Sequence, residues 1–575
     1  SLGPQADRGG RARGAGIALV VGVVLLVSAA GQSVTPRFLP DDPIAIDDDR
    51  ALDAGAVRPI EGSNGYDFAE HTFFGRGDRR AVAAVNVNTI GEVPDSSWFA
   101  NRIGRGAMAV DEIARGPNQL ESLTIDGWPI VQEKSTGITP GYRVRAPDGR
   151  LYQVKFDPPE HPEMGSAAEV IGAAIYHALG YNVVQGYIVD LDPTKLVIDP
   201  KATTVDMSGR RRALRRSDID RILKRAARQP NGTYRALASR FADGRPVGYF
   251  KYYGTRPDDP NDVHPHEHRR ELRGNRVFAA WLNHDDSRGI NTLDMLEGEK
   301  GRQAIRHYMF DFGSTLGSGS TVAQVPRAGN EYILEWGPAL KTLFTFGLHV
   351  RPWIMTDYWE DAVAVGRFEA KAFDPIRWRP EYPNPAFDNL QPDDAFWAAA
   401  LVARFSDQAI RAVVAKGRYS EPGAAEHVAS TLIARRDKVL RAWLTGVNPI
   451  ASPRLAADGT LTFDNAAVSA GVASPAASYA LAWSVFDNAT ASVVGEPIDA
   501  QVTEPRSSLP TSLRERSYVA LTIRTEHADF PAWRRPVLIH FRRVVDGWQL
   551  VGLHRAPPET DSRSEIPKSG AVRAR

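Results

Sequence analysis

The 575-residue chain contains no cysteine. Disulfide staples, thiolate-held zinc, iron–sulfur clusters and cysteine nucleophiles are therefore excluded. Net charge is nearly absent too: 70 Lys and Arg face 69 Asp and Glu, a formal +1 at pH 7. That balance argues against a whole-protein nucleic-acid surface, so nucleic acid is not expected as a partner. The GxSxG elbow of many serine hydrolases is missing, and the nearest stretch, Gly313–Gly317, reads GSTLG. Long apolar runs are scarce. The clear example, residues 14–30 (GAGIALVVGVVLLVSAA), follows Arg8, Arg11 and Arg13. This is the arrangement of a secretory signal or of an N-terminal membrane anchor. Ser28-Ala29-Ala30 supplies small residues for cleavage in the first reading, and residues 14–30 hold the membrane in the second. Both readings export the chain to a periplasmic or cell-surface location.

What is present falls into zones. With residues 1–35 as leader or anchor, residues 36–125 are rich in Pro, Asp and Gly, with aromatic clusters at Tyr66, Phe68, Phe73, Phe74, Trp98 and Phe99. They read as a wrapping extension. Residues 126–255 read as strand-rich. Strands over Tyr142–Ala146 and Leu151–Phe156 are joined by the hairpin signal Asp148-Gly149, and further strands are expected at Val183–Asp190, Tyr234–Phe241 and Val247–Tyr253. Between them lies a helix whose Ser166 and Glu169 have capping-box spacing and whose apolar repeat stops at Gly180. Residues 256–448 are helical, with apolar stripes over Glu267–Leu282, Ala395–Ala415 and Ala424–Leu444. Residues 449–556 alternate again at Tyr479–Phe486, Tyr518–Thr525, Val537–Val544 and Trp548–His554, which predicts a small all-β sandwich. Residues 557–575 read as a polar, disordered tail. The expected class is α+β: a strand-rich lobe, a helical lobe, then the sandwich.

The chemistry concentrates between Trp281 and Gly313 (WLNHDDSRGINTLDMLEGEKGRQAIRHYMFDFG). A helix ends in an acidic turn, passes Asn291 and returns through an apolar stretch to Asp311-Phe312-Gly313. Phosphoryl transfer needs such a set. Asp286 can take or orient the proton of an acceptor hydroxyl, while Asn291 and Asp311 offer hard oxygen ligands to magnesium bridging phosphates. The five-residue step from Asp286 to Asn291 matches a kinase catalytic loop. Upstream, Lys155 ends a strand and Glu169 lies on the first turn of the next helix, the order in which a strand lysine meets phosphates while paired to a helical glutamate. Before them, Ser135, Thr136, Gly137 and Thr139 occupy a hairpin whose free backbone N–H groups can cover phosphates.

In motif order, residues 126–446 resemble the atypical protein-kinase-like superfamily, in particular its HipA-type, phosphatidylinositol-kinase-like and spore-coat CotH members. The resemblance implies a bilobal kinase-like core with ATP and Mg2+ in the cleft. It also implies a Lys155–Glu169 pair, Asp286 as catalytic aspartate, and Asn291 and Asp311 as metal ligands. HipA-type loops carry a histidine between Asp and Asn, whereas here Ser287, Arg288, Gly289 and Ile290 intervene, and Asp285 stays open beside Asp286 as the catalytic acid residue. The expectation is an exported phosphotransferase acting on a hydroxyl of a protein, sugar or lipid. The alternative is a non-catalytic envelope binding protein with a pseudokinase-like cleft, its β domain docking an envelope protein or glycan.

Two further clusters carry readings of their own. His264, His266 and His268 alternate in DVHPHEH, either as ligands of a divalent metal or as a solvated loop before the helix. The basic run Arg210–Arg216 reads as a solvated insertion or a contact for anionic lipid, followed by a short helix capped at Ser217.

Overall fold

The computed structural model describes residues 36–555 apart from 76, 136, 207, 347 and 349. The expected leader over 1–35, the tail over 557–575 and Thr136 lie outside the described residues. The chain is an α+β protein with four sheets among the described residues. No helix of the described residues is long and apolar enough to cross a membrane.

In chain order, α1 (Asn64–Ala69) and α2 (Val110–Arg115) lie in the Pro- and Gly-rich zone. Strands β1 (Pro129–Glu133), β2 (Gly141–Arg145), β3 (Leu151–Phe156), β4 (Gly186–Leu191), β5 (Val197–Val205), β6 (Arg211–Ala213) and β7 (Tyr234–Arg240) then build one seven-stranded sheet in the order β4-β7-β3-β2-β1-β5-β6. Helix α3 (Met164–Leu179) joins β3 to β4, and α4 (Arg216–Leu223) joins β6 to β7. A second sheet holds β8 (Arg245–Gly248), β9 (Thr292–Glu297) and β10 (Ala304–Met309), with α5 (Arg270–Leu282) between its first two strands. Next come α6 (Trp336–Phe344), α7 (Pro385–Asp388), α8 (Pro392–Val402), α9 (Asp407–Ala415) and α10 (Ala424–Trp443). The last zone contains β11 (Ile450–Leu455), β12 (Thr460–Asn465), β13 (Ser478–Asp487), β14 (Ser492–Val502), β15 (Arg506–Ser508), β16 (Tyr518–Glu526), β17 (Val537–Val544) and β18 (Gly547–Arg555). They pair as β11-β12-β15 and β14-β13-β16-β17-β18, and the two sheets share one core around Ile450, Phe463, Trp483 and Phe541.

Strand alternation decides what faces the site. On β3, Tyr152, Val154 and Phe156 are buried in the core of the first sheet. The two-residue period therefore sends Lys155 to the opposite face. Its cross-strand partner on β2 is Gly141, where a Cβ would stand 2.1 Å from the Val154 carbonyl oxygen, so only glycine fits that close approach. Every residue of α3 except His177 is buried, as is every residue of α5. Both helices belong to the largest apolar core, together with α8, α9 and α10. The N-terminal zone runs across these layers: Phe38 packs on Phe486, Val57 lies beside Val247, and Trp98 stacks on His307 with ring centroids 3.5 Å apart.

Several local expectations need correction. Ser166 caps nothing. Helix α3 starts at Met164, Ser166 Oγ donates to Asp157, and Glu169 turns inward. The basic run pairs as strand β6, Arg212 binds Asp218 at 2.7 Å, and α4 begins at Arg216 without a Ser217 cap. The stripe over 395–415 is two helices, broken where Ser406 caps α9. The expected strand at 247–253 stops at Gly248.

Trp281 is fully buried, meets Phe405 edge-on at 5.2 Å and donates its indole N–H to the Leu432 carbonyl at 2.9 Å. It locks α5 to α10. Trp281→Ala is expected to cost about 3–5 kcal/mol in urea unfolding followed by circular dichroism, whereas a loss below about 1 kcal/mol would contradict this packing.

Candidate functional site

The site assembles around Lys155. Its ammonium lies 3.3 Å from Asp311 Oδ1, 3.9 Å from Glu169 Oε2 and 5.5 Å from the ring centroid of Phe310. Burial alone would lower its pKa, but Asp311 and Glu169 outweigh burial and hold it above the ordinary lysine value. Lys155 lowers Asp311 below its ordinary value despite burial, whereas burial raises Glu169. Glu169 also accepts the backbone N–H groups of Gly313 and Phe312, so helix α3 holds the turn that carries Asp311. Asp311 itself sits in the left-handed region (φ 61°, ψ 62°), a conformation Asp tolerates better than most residues and one that aims its carboxylate back toward β3.

Phe312 is the wedge. A Cβ on Gly172 of α3 would lie 2.7 Å from the Phe312 Cβ, so glycine at this position admits the ring. Phe312 then packs on Tyr176 and His284, with centroids 4.7 Å and 5.7 Å away. Burial lowers His284 to about 4, so at neutral pH it is an uncharged ring in an apolar wall.

Helix α5 ends at Asn283, whose left-handed backbone (φ 53°) turns the chain. The following loop is tied at many points. Gln324 Nε2 donates to Asp285 Oδ1 at 2.7 Å and to the carbonyls of Asn283 and Ser314 at 3.1 Å and 3.2 Å. Ser287 Oγ donates to the His284 carbonyl at 2.7 Å. Asn291 Nδ2 donates to the Asp286 carbonyl at 2.9 Å, which leaves the amide oxygen as its acceptor. Arg288 Nε stands 2.6 Å from Asp286 Oδ1, a close ion pair out of hydrogen-bond alignment. Glu381 lies 3.8 Å from Arg288 and 3.9 Å from Arg327. Burial, helped by Asp286 and Glu381, pushes Asp285 up to about 8. Burial also pushes Asp286 up to about 7 against the pull of Arg288, with Glu381 and Asp311 adding to the rise.

Lys155, Glu169 and Asp311 thus meet directly, and Asp286 lies within electrostatic reach of Asp311. Ser135, Gly137 and Thr139 occupy the tip between β1 and β2, where Gly137 has φ +75°. Lys134, which the sequence reading passed over, closes that tip by donating to the Thr139 carbonyl at 2.8 Å. Burial, then the neighbouring Lys155, lowers Lys134 to about 8. Its place directly before the small-residue hairpin was the available signal. Gln324 and Glu381 had none, since they reach the loop from 39 residues beyond Asp285 in one case and through a backbone N–H to the Asp285 carbonyl at 2.7 Å in the other.

The expected solvated loop reaches only as far as half-buried His264, and the next two histidines are enclosed. His266 and His268 are buried; His266 binds the Lys251 carbonyl and Asp262, and His268 binds Asp78 and Arg273. Both nitrogens of each ring are occupied. Among the described residues no group of three or more His, Asp or Glu is arranged to hold a metal ion. A 340 Å3 cavity lined by Arg102, Arg240 and Arg306 and a 390 Å3 cavity lined by Leu120 and Tyr187 share no lining residue with the Lys155 site. No protein-family model matches the chain, and no curated protein or solved structure matches it either.

The raised carboxyls at 285 and 286 have a measurable sign. They stay protonated in the folded chain where the unfolded chain has ionised them, so their contribution to stability is complete below about pH 4 and is lost as pH rises through about 7 to 8. In EDTA, Asp285→Asn is expected to gain thermal stability over the parent chain progressively between those limits, by up to about 1.4 kcal/mol per pH unit. A difference that is flat or shrinks with pH would contradict it.

Proposed function

We propose that the seven-stranded sheet and the helical layer are the two lobes of a kinase-like core, and that the chain is a phosphotransferase acting on a hydroxyl acceptor in the cell envelope. The observation that carries this reading is the meeting of Lys155 from β3, Glu169 from α3 and Asp311 after β10, with the Asp285–Asn291 loop between α5 and β9. Chain order and spatial arrangement agree with what phosphoryl transfer requires.

The donor set suits ATP and Mg2+. Asp311 is a carboxylate 40% exposed beside a fixed cation, and Asn291 keeps an amide oxygen for a ligand. Both are hard oxygen donors. When bound, ATP supplies the phosphoryl group and magnesium neutralises charge on its phosphates. The chain's own residues do the rest. Lys155 presents an ammonium whose position Glu169 fixes, Lys134 adds a second cation near it, and Ser135, Gly137 and Thr139 are the hairpin residues that would offer backbone N–H groups to phosphates. Asp286, raised to about 7, is poised to accept the acceptor's hydroxyl proton near neutral pH. Its carboxylate is 23% exposed and so open to an acceptor, while Asp285 is bound by Gln324 and serves to hold the loop. Asp285, Asp286, Glu381 and Asp311 place four acids around Arg288, Arg327 and Lys155, and the crowding that keeps Asp285 and Asp286 protonated is one that a divalent cation would relieve. Residues 14–30 would place the enzyme at a membrane, and the β11–β18 unit would dock an envelope protein or glycan.

Thermal unfolding of the full chain tests the reading. ATP with Mg2+ at about 100 times its dissociation constant is expected to stabilise the protein by about 2.7 kcal/mol, and Asp311→Ala or Lys155→Ala is expected to remove that gain. A gain that survives both substitutions would contradict the site. No gain with any nucleotide would favour the non-catalytic binding-protein reading.

A further inference from the structure

The 340 Å3 cavity lies where the first sheet, the second sheet and the N-terminal zone meet. Arg102 comes from the N-terminal zone, His177 from the last turn of α3, Arg240 from the end of β7, and Arg306 and Tyr308 from β10.

The acids of this cavity are spent and its arginines are not. The two carboxylates that line it are Asp243 and Glu297. Both oxygens of Asp243 accept from Arg240 Nη2, at 2.7 Å and 2.9 Å. One oxygen of Glu297 accepts from Arg306 Nε at 2.8 Å and the other from the Tyr308 hydroxyl at 2.9 Å. Arg240, whose side chain is 11% exposed, keeps a buried Nε with no hydrogen-bond partner among the described residues. A buried donor left without a partner is costly, and a ligand oxygen would satisfy it. Arg102 has no carboxylate within ion-pair distance among the described residues. Its Nη1 donates only to the carbonyls of His177 at 2.8 Å and Tyr181 at 3.2 Å.

Acids farther off do not make up the difference. Asp95 acts on Arg102 from a distance but is paired with Arg105 at 2.8 Å. Asp49 acts likewise on Arg306 and accepts the Ser97 hydroxyl at 2.6 Å. Arg115 adds a positive charge within reach of His177. Burial lowers Arg102 to about 10, with Asp95 opposing and Arg306 adding to the fall. Burial, then Arg102, lowers His177 to about 3, so that ring is uncharged at neutral pH.

A guanidinium presents paired N–H donors in one plane, the geometry of a carboxylate or phosphate edge. Val183, Val184 and Phe241 supply apolar wall beside the three arginines. The volume is at the small end for a ligand pocket.

We propose that this cavity binds a small organic anion, its carboxylate or phosphate head held by Arg102, Arg240 and Arg306 and its body against Val183, Val184 and Phe241. The proposal is independent of the phosphotransferase reading, and its test uses no nucleotide.

Isothermal titration of the full chain with benzoate and with phenyl phosphate tests it, the two probes sharing an apolar ring and differing in the head. At least one is expected to bind one-to-one with a Kd below about 1 mM, and the tighter of the two identifies the head. Arg306→Gln, which leaves Glu297 its hydrogen bond from Tyr308, is expected to weaken that binding about tenfold or more. Ala242→Trp, which removes no side-chain hydrogen bond and adds bulk to the cavity wall, is expected to abolish it without changing the far-ultraviolet circular dichroism. Binding that survives both substitutions would put the anion elsewhere and overturn the proposal. So would the failure of both probes to bind at about 10 mM.

Discussion

Lys155 is an ammonium withdrawn from water, and the structure around it is organised to make that tolerable. A lone buried cation costs several kcal/mol or loses its proton. Here two carboxylates from elements distant in sequence, Glu169 on α3 and Asp311 after β10, approach within 4 Å. Bringing them there fixes much else. Helix α3 must lie close under β3, the chain after β10 must turn through a left-handed Asp311, and Phe312 must lodge against Gly172 and Tyr176. The Glu169 carboxylate binds both the ammonium and the backbone of the turn that carries its partner. Charge and packing therefore support one another at the same point.

The opposite side of the site has the reverse problem. The loop after α5 gathers carboxylates faster than it gathers cations, and Asp285 and Asp286 respond by holding their protons to about 8 and about 7. Such crowding lasts only if the backbone cannot relax it. Gln324, Ser287, Asn291 and the left-handed Asn283 tie the loop with hydrogen bonds that leave little freedom to separate the acids. One edge of the site thus has a cation held by two acids, and the other has Asp285, Asp286 and Glu381 crowded around Arg288 and Arg327, more acids than the two arginines neutralise. On the proposed reading, a ligand bringing both phosphate oxygens and a divalent ion would satisfy both edges together.

Much of this framework was legible in the sequence because it rests on local rules. The alternation of Tyr152, Val154 and Phe156 places Lys155 on the other face of β3, Asp148-Gly149 makes the β2–β3 hairpin, and Gly180 ends α3, all as the local pattern implies. The order Lys155, Asp286, Asn291, Asp311 was readable because these residues lie at the end of β3, just after α5, just before β9 and just after β10, whereas Glu169, expected on the first turn of its helix, is the sixth residue of α3. The failures share another cause. Ser166 and Glu169 have capping-box spacing, but tertiary partners, Asp157 for one and Lys155 for the other, outcompete the cap. The histidines at 266 and 268 look like ligands until the burial of that turn supplies them with other partners. Gln324 and Glu381 arrive through loops that have no period to read.

A crystal structure of the full chain with magnesium and a non-hydrolysable ATP analogue would test the central claim most directly. The account predicts that Lys155 keeps Glu169 but leaves Asp311 for a phosphate oxygen, while Asp311 and the Asn291 amide oxygen take the magnesium. A nucleotide bound elsewhere, with the Lys155–Asp311 contact at 3.3 Å undisturbed, would contradict it.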